Sequence, residues 1–152
     1  MADGATSGKD GARPGEIAGA LPDAFDAGLY FIGRCRTPFA DRAACPHTGD
    51  AEAGPLCRLD IAPAFRPALA GLEGRPFILA LYFMDQARRD LLVQTPHGRG
   101  PTGTFALRSP VRPNPIAASV LRLIAVEPSG LLVRGLDCVD GTPLLDIKPH
   151  RP

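Results

Sequence analysis

The chain has 152 residues, 45% of them hydrophobic, with 17 Lys plus Arg against 16 Asp plus Glu. That length suits one domain with its own core, and the longest apolar run, Phe77 to Met84, is strand-sized, far short of the roughly 20 residues of a membrane-spanning helix. A formal net charge of +1 gives no global field for nucleic acid, so any RNA contact needs a local basic patch or a second subunit.

Residues 1–21 are rich in Gly, Ala and charge and have little to bury, which predicts a disordered tail. The ordered domain is expected over 22–152. The opening residues lack the cationic and apolar pattern of a secretory leader, so a cytoplasmic protein with no membrane association is expected. Cys35, Cys45, Cys57 and Cys138 are expected as thiols, because a chain with this much apolar content does not need disulfide staples.

Seventeen Gly and 17 Pro break the chain into short pieces rich in β-formers. The expected strands are Leu29–Arg36, Leu56–Ala62, Pro76–Met84, Thr104–Arg108, Ser119–Glu127, Leu131–Asp137 and Leu144–Lys148. Val120–Val126 alternates, which places Arg122 among apolar neighbours on a strand with one buried and one wet face. Ala64–Leu69 and Met84–Leu91 read as short helices, the first interrupted by Pro67. Residues 86–103 are polar and Gly/Pro-rich and read as a long loop. Short strands with frequent turns predict a mainly β, single-domain small β-barrel with one or two short helices.

No GxGxxG follows a first strand and there is no P-loop. A nucleoside cofactor would therefore be held on some other scaffold. Cys35, Cys45, His47 and Cys57 have zinc-binding chemistry, but the spacing Cys-x9-Cys-x-His-x9-Cys lacks the usual close cysteine pair. No metal site is expected. Tyr82 and Phe83 read as core.

Two segments carry the functional signal. Arg108-Ser109-Pro110-Val111-Arg112-Pro113-Asn114-Pro115-Ile116 holds three prolines that stiffen the backbone before any ligand arrives. Its arginines can pair bidentately with an anion, and Asn114 adds a donor and an acceptor. The same pattern also suits a stiff surface connector. Farther on, Asp140-Gly141-Thr142-Pro143 reads as a tight turn between strands, with Asp137 beside it. These carboxylates could bind a ribose, act as a base or, for Asp140, simply cap the turn.

The first segment closely resembles the signature RSPxRPNPI of the TrmO (YaeB/TsaA-like) family. Asp137-Cys138-Val139-Asp140-Gly141-Thr142-Pro143-Leu144-Leu145-Asp146-Ile147-Lys148-Pro149 resembles its DxxDGTPxxDIKP, in the same order and at the same spacing. Weaker similarity runs through Ile32-Gly33 to Thr37-Pro38 and Gly71-Leu72-Glu73. The resemblance implies a homodimeric β-barrel that uses S-adenosylmethionine to methylate N6 of threonylcarbamoyladenosine beside the tRNA anticodon. It implies cofactor contacts at Arg108, Gly135, Leu136 and Asp137, with Pro46, His47, Thr48, Asp85, Gln86 and Ala118 in the same region. Arg112, Asn114 and Lys148 are implied RNA or substrate contacts.

Departures accompany the match. Pro46 is kept, but His47 and Thr48 stand where the family has Arg and Gln. Asp85 stands where a His commonly ends the third strand, Ala117-Ala118 replaces Gly-Leu/Met, and His150 replaces a Tyr. The extra C-terminal domain of many bacterial members is not expected. Asp137, Asp140, Asp85 and His47 all remain candidates for the group assisting N6. A same-fold methyltransferase with another nucleoside or small-molecule acceptor, and a non-catalytic cofactor-binding module, remain alternatives.

Overall fold

The computed structural model describes residues 11–151. Its elements in chain order are β1 (Ile17–Ala18), β2 (Gly33–Arg36), the 3-10 turn η1 (Arg42–Ala44), β3 (Leu56–Ile61), η2 (Pro63–Leu69), β4 (Phe77–Phe83), β5 (Leu91–Gln94), β6 (Thr102–Gly103), η3 (Thr104–Ala106), β7 (Ile116–Glu127), β8 (Gly130–Arg134) and β9 (Pro143–Pro149). They form two compact units. One is Gly28–Asp85 with Ile116–Pro152; the other is Gln86–Pro115 with the described part of Met1–Ala27.

The larger unit is the expected barrel. Six strands close in the order β2-β3-β8-β7-β4-β9, all pairs antiparallel. Period-2 alternation turns Cys57, Leu59 and Ile61 of β3 inward, with Ile78, Ala80 and Tyr82 of β4 and Leu121 and Leu123 of β7. Arg122, between buried Leu121 and Leu123, is half-buried and lies over the Phe77 ring. Two irregularities bend the wall. Ile124 is extra between Leu123 and Ala125, and the β4–β9 register slips between Leu81 and Tyr82. Such bulges increase the local twist and re-aim side chains, which helps a small sheet close on itself.

The smaller unit is a three-stranded sheet, β1-β5-β6, and here sequence and structure part company. Residues 86–103, expected as one loop, contain β5 and β6, paired Val93 with Gly103 and Gln94 with Thr102. The helix expected over Met84–Leu91 does not form. Arg88 and Asp90 instead make a two-pronged pair (Nε–Oδ1 2.7 Å, Nη2–Oδ2 2.9 Å), and residues two apart face each other only in extended chain. The strand expected over Thr104–Arg108 is the single turn η3, because Thr104 turns inward to donate its hydroxyl to the Leu91 carbonyl. The tail expected over 1–21 includes β1, paired with β5; residues 1–10 lie outside the described residues. Ala64–Leu69 is helical within η2, as 3-10 turns holding Pro63 and Pro67.

All four cysteines are free thiols, and Cys35, Cys57 and Cys138 are buried. Among the described residues no group of His, Cys, Asp or Glu could hold a metal ion, and no helix is long and apolar enough to cross a membrane.

Leu59 is fully buried opposite Leu131. Leu59→Ala is expected to lower stability by about 2–5 kcal/mol, read as a lower urea midpoint with an unchanged slope. Burial, helped by neighbouring Cys138, raises the Cys57 thiol from 9.0 to about 11. Hydrogen bonding with Cys138, then burial, raises Cys35. A group whose pKa is raised on folding stabilises fully below its unfolded value and loses that contribution as pH climbs through the folded one. The urea midpoint of the reduced protein should therefore fall as pH rises from 9.0 to about 11, and Cys57→Ala should flatten part of that fall.

Candidate functional site

The barrel core contains one buried phenol. Tyr82 is fully buried, and a hydroxyl there must find partners. It donates to Asp137 Oδ1 at 2.5 Å and lies 2.7 Å from Ser119 Oγ. With its single proton turned to Asp137, the phenol oxygen accepts from Ser119. Burial, and then the charge of Asp137, push the Tyr82 pKa well above its ordinary value, so the phenol remains a donor across the physiological range. Asp137 is half-buried, and among the described residues its Oδ2 accepts no hydrogen bond. One oxygen is anchored and the other is available to a ligand hydroxyl or N–H.

Asp137 follows Gly135 and Leu136, where the chain leaves β8. Gly135 has φ +114°, and a Cβ there would crowd Ala51 and the Val120–Leu121 stretch of β7. A Cβ on Gly49 would collide with the Gly135 carbonyl. These two close approaches require glycine and bring the chain just after Pro46-His47-Thr48 against Gly135. Asp50 accepts from the Glu52 and Ala53 N–H groups, and Arg134 reaches the Gly54 carbonyl at 2.6 Å, which fixes that segment from its other side. Ala118 stands on β7 next to Ser119, opposite Leu81. The segments holding Gly135–Asp137, Ala118 and Pro46–Thr48 are thus brought together at the barrel. Asp85 is exposed, just past the end of β4, with its N–H on the Phe83 carbonyl; Gln86 is exposed beside it.

Asp140 has a different occupation. Its Oδ1 accepts from the Thr37 N–H at 3.1 Å, and its own N–H donates to Phe39. Thr37 Oγ1 donates to the Cys138 carbonyl, and Arg34 donates to that of Gly141. Asp140 thereby ties the turn to the segment after β2. Lys148 is exposed on β9 and paired with Asp146 at 2.8 Å.

In the smaller unit the proline-rich segment is pinned from β5 and the turn before it. Buried Gln94 donates to Thr104 Oγ1 and the Val111 carbonyl. Arg89 stacks on Phe25 and donates to the Pro113 carbonyl (2.6 Å) and Asn114 Oδ1 (3.2 Å). Arg112 turns back to the carbonyls of Leu107 and Ser109, both at 3.0 Å. It braces the loop whose outer face carries exposed Arg108 and Asn114.

Residues 34–152 match the model of the tRNA-methyltransferase O N-terminal domain. The chain belongs to the TrmO family, a family of S-adenosylmethionine-dependent methyltransferases. It is 46% identical over 140 residues to "Probable S-adenosyl-L-methionine-binding protein VirR" of Rhizobium radiobacter, covering 91% of this chain and 79% of that one. It is 37% identical over 122 residues to an S-adenosyl-L-methionine-binding protein of Archaeoglobus fulgidus, covering 80% and 87%. The crystal structure of TrmO from Pseudomonas aeruginosa superposes with a TM-score of 0.69 at 33% identity, covering 84% of this chain and 57% of that one. The chain therefore spans little more than half of that solved TrmO.

Tyr82, Ser119, Arg89 and Gln94 are site-shaping residues that the sequence did not single out. The available signal was a phenol within the apolar run Phe77–Met84; of the two aromatics expected as core there, Tyr82 is buried, while Phe83 points to the opposite face of the strand and packs on Phe31. A Tyr82→Phe and Asp137→Ala double-mutant cycle in urea should show a coupling of about 1–2 kcal/mol; additive effects would show that the two side chains are not bonded in solution.

Proposed function

We propose that this protein binds S-adenosylmethionine at the Gly135–Asp137 edge of the barrel and transfers its methyl group to N6 of threonylcarbamoyladenosine in tRNA. The observation that carries the reading is Asp137, held on one oxygen by Tyr82 within a family motif and presenting the other. An adenosine ligand offers hydroxyl and amino donors that suit such a carboxylate, and the backbone flanking Gly135 is close-packed and preformed.

The bound cofactor supplies a methyl group on a cationic sulfur, which leaves as a neutral thioether. The chain's own part is alignment and proton handling. Asp137 fixes the ligand's orientation, and alignment is worth much of the barrier in an in-line displacement. The acceptor N6 is conjugated with a carbamoyl group and needs its proton drawn away. Asp140 is engaged by the Thr37 backbone and the free oxygen of Asp137 is given to the cofactor, which leaves His47 as the group that assists N6. His47 and Thr48 are exposed, on the segment that ends against Gly135 at Gly49. The homodimer implied by the resemblance has a surface available: Ile116, Val120 and Ile124 on the outer face of β7 are 37–43% exposed.

One observation favours a second reading, a cofactor-binding module without turnover. His47, Thr48 and Asp85 replace the family's Arg, Gln and His, so contacts made through those side chains are lost.

Calorimetric titration with S-adenosylmethionine tests the first half. Saturable binding is expected, weakened roughly 10–100-fold by Asp137→Ala, the worth of one charge-assisted hydrogen bond. Transfer from labelled cofactor to tRNA carrying threonylcarbamoyladenosine, and not to unmodified transcript, is expected for the full reading. Binding without transfer to any tRNA would leave the module.

A further inference from the structure

Charge is unevenly distributed along this nearly neutral chain. The barrel unit balances ten Lys plus Arg with ten Asp plus Glu. Gln86–Pro115 holds five arginines and one acidic residue, Asp90. Three of those arginines have local work: Arg88 pairs with Asp90, Arg89 holds Pro113 and Asn114, and Arg112 braces its own loop. Arg99 does not. It lies on the β5–β6 connection, exposed, and makes no side-chain ion pair or hydrogen bond among the described residues.

Arg99 stands at a built cleft. Pro96–Arg99 is a tight turn closed by the Arg99 N–H on the Pro96 carbonyl, with Gly98 at φ +75°. The segment before β1 is fastened against it. Glu16 accepts from the N–H groups of Arg13 (2.9 Å) and Thr95 (3.1 Å), and Thr95 Oγ1 donates to the Pro14 carbonyl. Gly15, at φ +81°, lets the two segments close, since a Cβ there would strike the Pro101 ring. The result is a cleft of about 400 Å³ lined by Arg13, Pro14, Thr95, Pro96, His97 and Arg99. Beside it lies Glu16, whose pKa burial raises but the N–H groups of Arg13 and Thr95 and the charges of Arg13 and Arg88 bring below its ordinary value, so Arg13 faces a carboxylate as well as the cleft.

We propose that this cleft grips a backbone phosphate of the RNA substrate, as a site separate from the motif residues. The inference rests on the tRNA reading above. Two guanidiniums and an imidazole on proline-restricted segments offer several N–H donors to one tetrahedral anion. No aromatic ring other than the imidazole lines the cleft, so it lacks a broad platform for base stacking and suits phosphate positioning over sequence readout. It gives a protein of net charge +1 the local cationic patch that RNA binding requires.

The test uses the full chain. Binding of tRNA carrying threonylcarbamoyladenosine is followed by fluorescence anisotropy from low to moderate salt for wild type, Arg13→Gln/Arg99→Gln and Arg13→Lys/Arg99→Lys. Removing two phosphate contacts should weaken binding at least 10-fold at low salt and reduce the log–log salt slope by about 1–2. The lysine pair should restore most of that slope, and calorimetric S-adenosylmethionine affinity should match wild type in both. Wild-type tRNA binding with the same affinity and slope in the glutamine variant would overturn the site while leaving the tRNA reading standing. A wild type that binds no tRNA would overturn the tRNA reading and the site with it. If inorganic pyrophosphate binds wild type and not the glutamine variant while tRNA binding is unaltered, the cleft serves a free phosphate ligand and the RNA assignment fails.

Discussion

Strand β9 hydrogen-bonds to β2 on one side and β4 on the other, and that double pairing holds the barrel shut. Without it, β2 and β4 would each present a row of unpaired backbone groups. Closure also sets the positions of the residues that matter chemically. The motif turn runs straight into β9, and the Cys35 backbone bonds to Gly141 and Thr142 on the way. Asp140 adds a side-chain tie to Thr37. A motif that reads as a functional turn is also the seam of the barrel.

The same closure creates the requirement that Asp137 answers. Tyr82 lies on the inward phase of β4, where its hydroxyl has no water to bond and would be costly unpaired. Asp137 and Ser119 satisfy it. An unsatisfied buried phenol and a poorly oriented carboxylate are thus avoided by one hydrogen bond, which links core stability to the orientation of Asp137. Glycine makes the arrangement possible nearby, because Gly49 and Gly135 approach more closely than side chains would permit.

The smaller unit depends on a different device. Its strands are two to four residues long, too short for apolar pairing to hold them alone. Side chains bridge instead: Gln94 to Thr104 and Val111, Arg89 to Pro113 and Asn114, Glu16 to Arg13 and Thr95. This explains why residues 86–103 read as loop. Alternation over Leu91–Gln94 is too brief to register, and a strand stabilised by its neighbours' side chains leaves no local periodic trace. The Met84–Leu91 segment misled for the converse reason, since Arg88, Arg89 and Leu91 are good helix formers and the Arg88–Asp90 pairing that favours extended chain is visible only in three dimensions.

By itself the sequence determined the barrel class, five of its six strands to within about three residues at either end, and the two motifs that mark the TrmO family. These are local or periodic properties: alternation along a strand, proline-fixed backbone, an Asp-Gly turn. The start of β2 was overextended, because Leu29–Phe31 have the apolar composition of a strand and lie outside the barrel pairing. Tertiary structure alone decided how the two motif carboxylates are held. Asp137 and Asp140 are three residues apart and chemically identical, and only long-range partners, Tyr82 for one and the Thr37 backbone for the other, separate a carboxylate with one oxygen left over from one that ties the turn. Those partners lie 55 and 103 positions away in the chain, a distance across which neither spacing nor composition carries information.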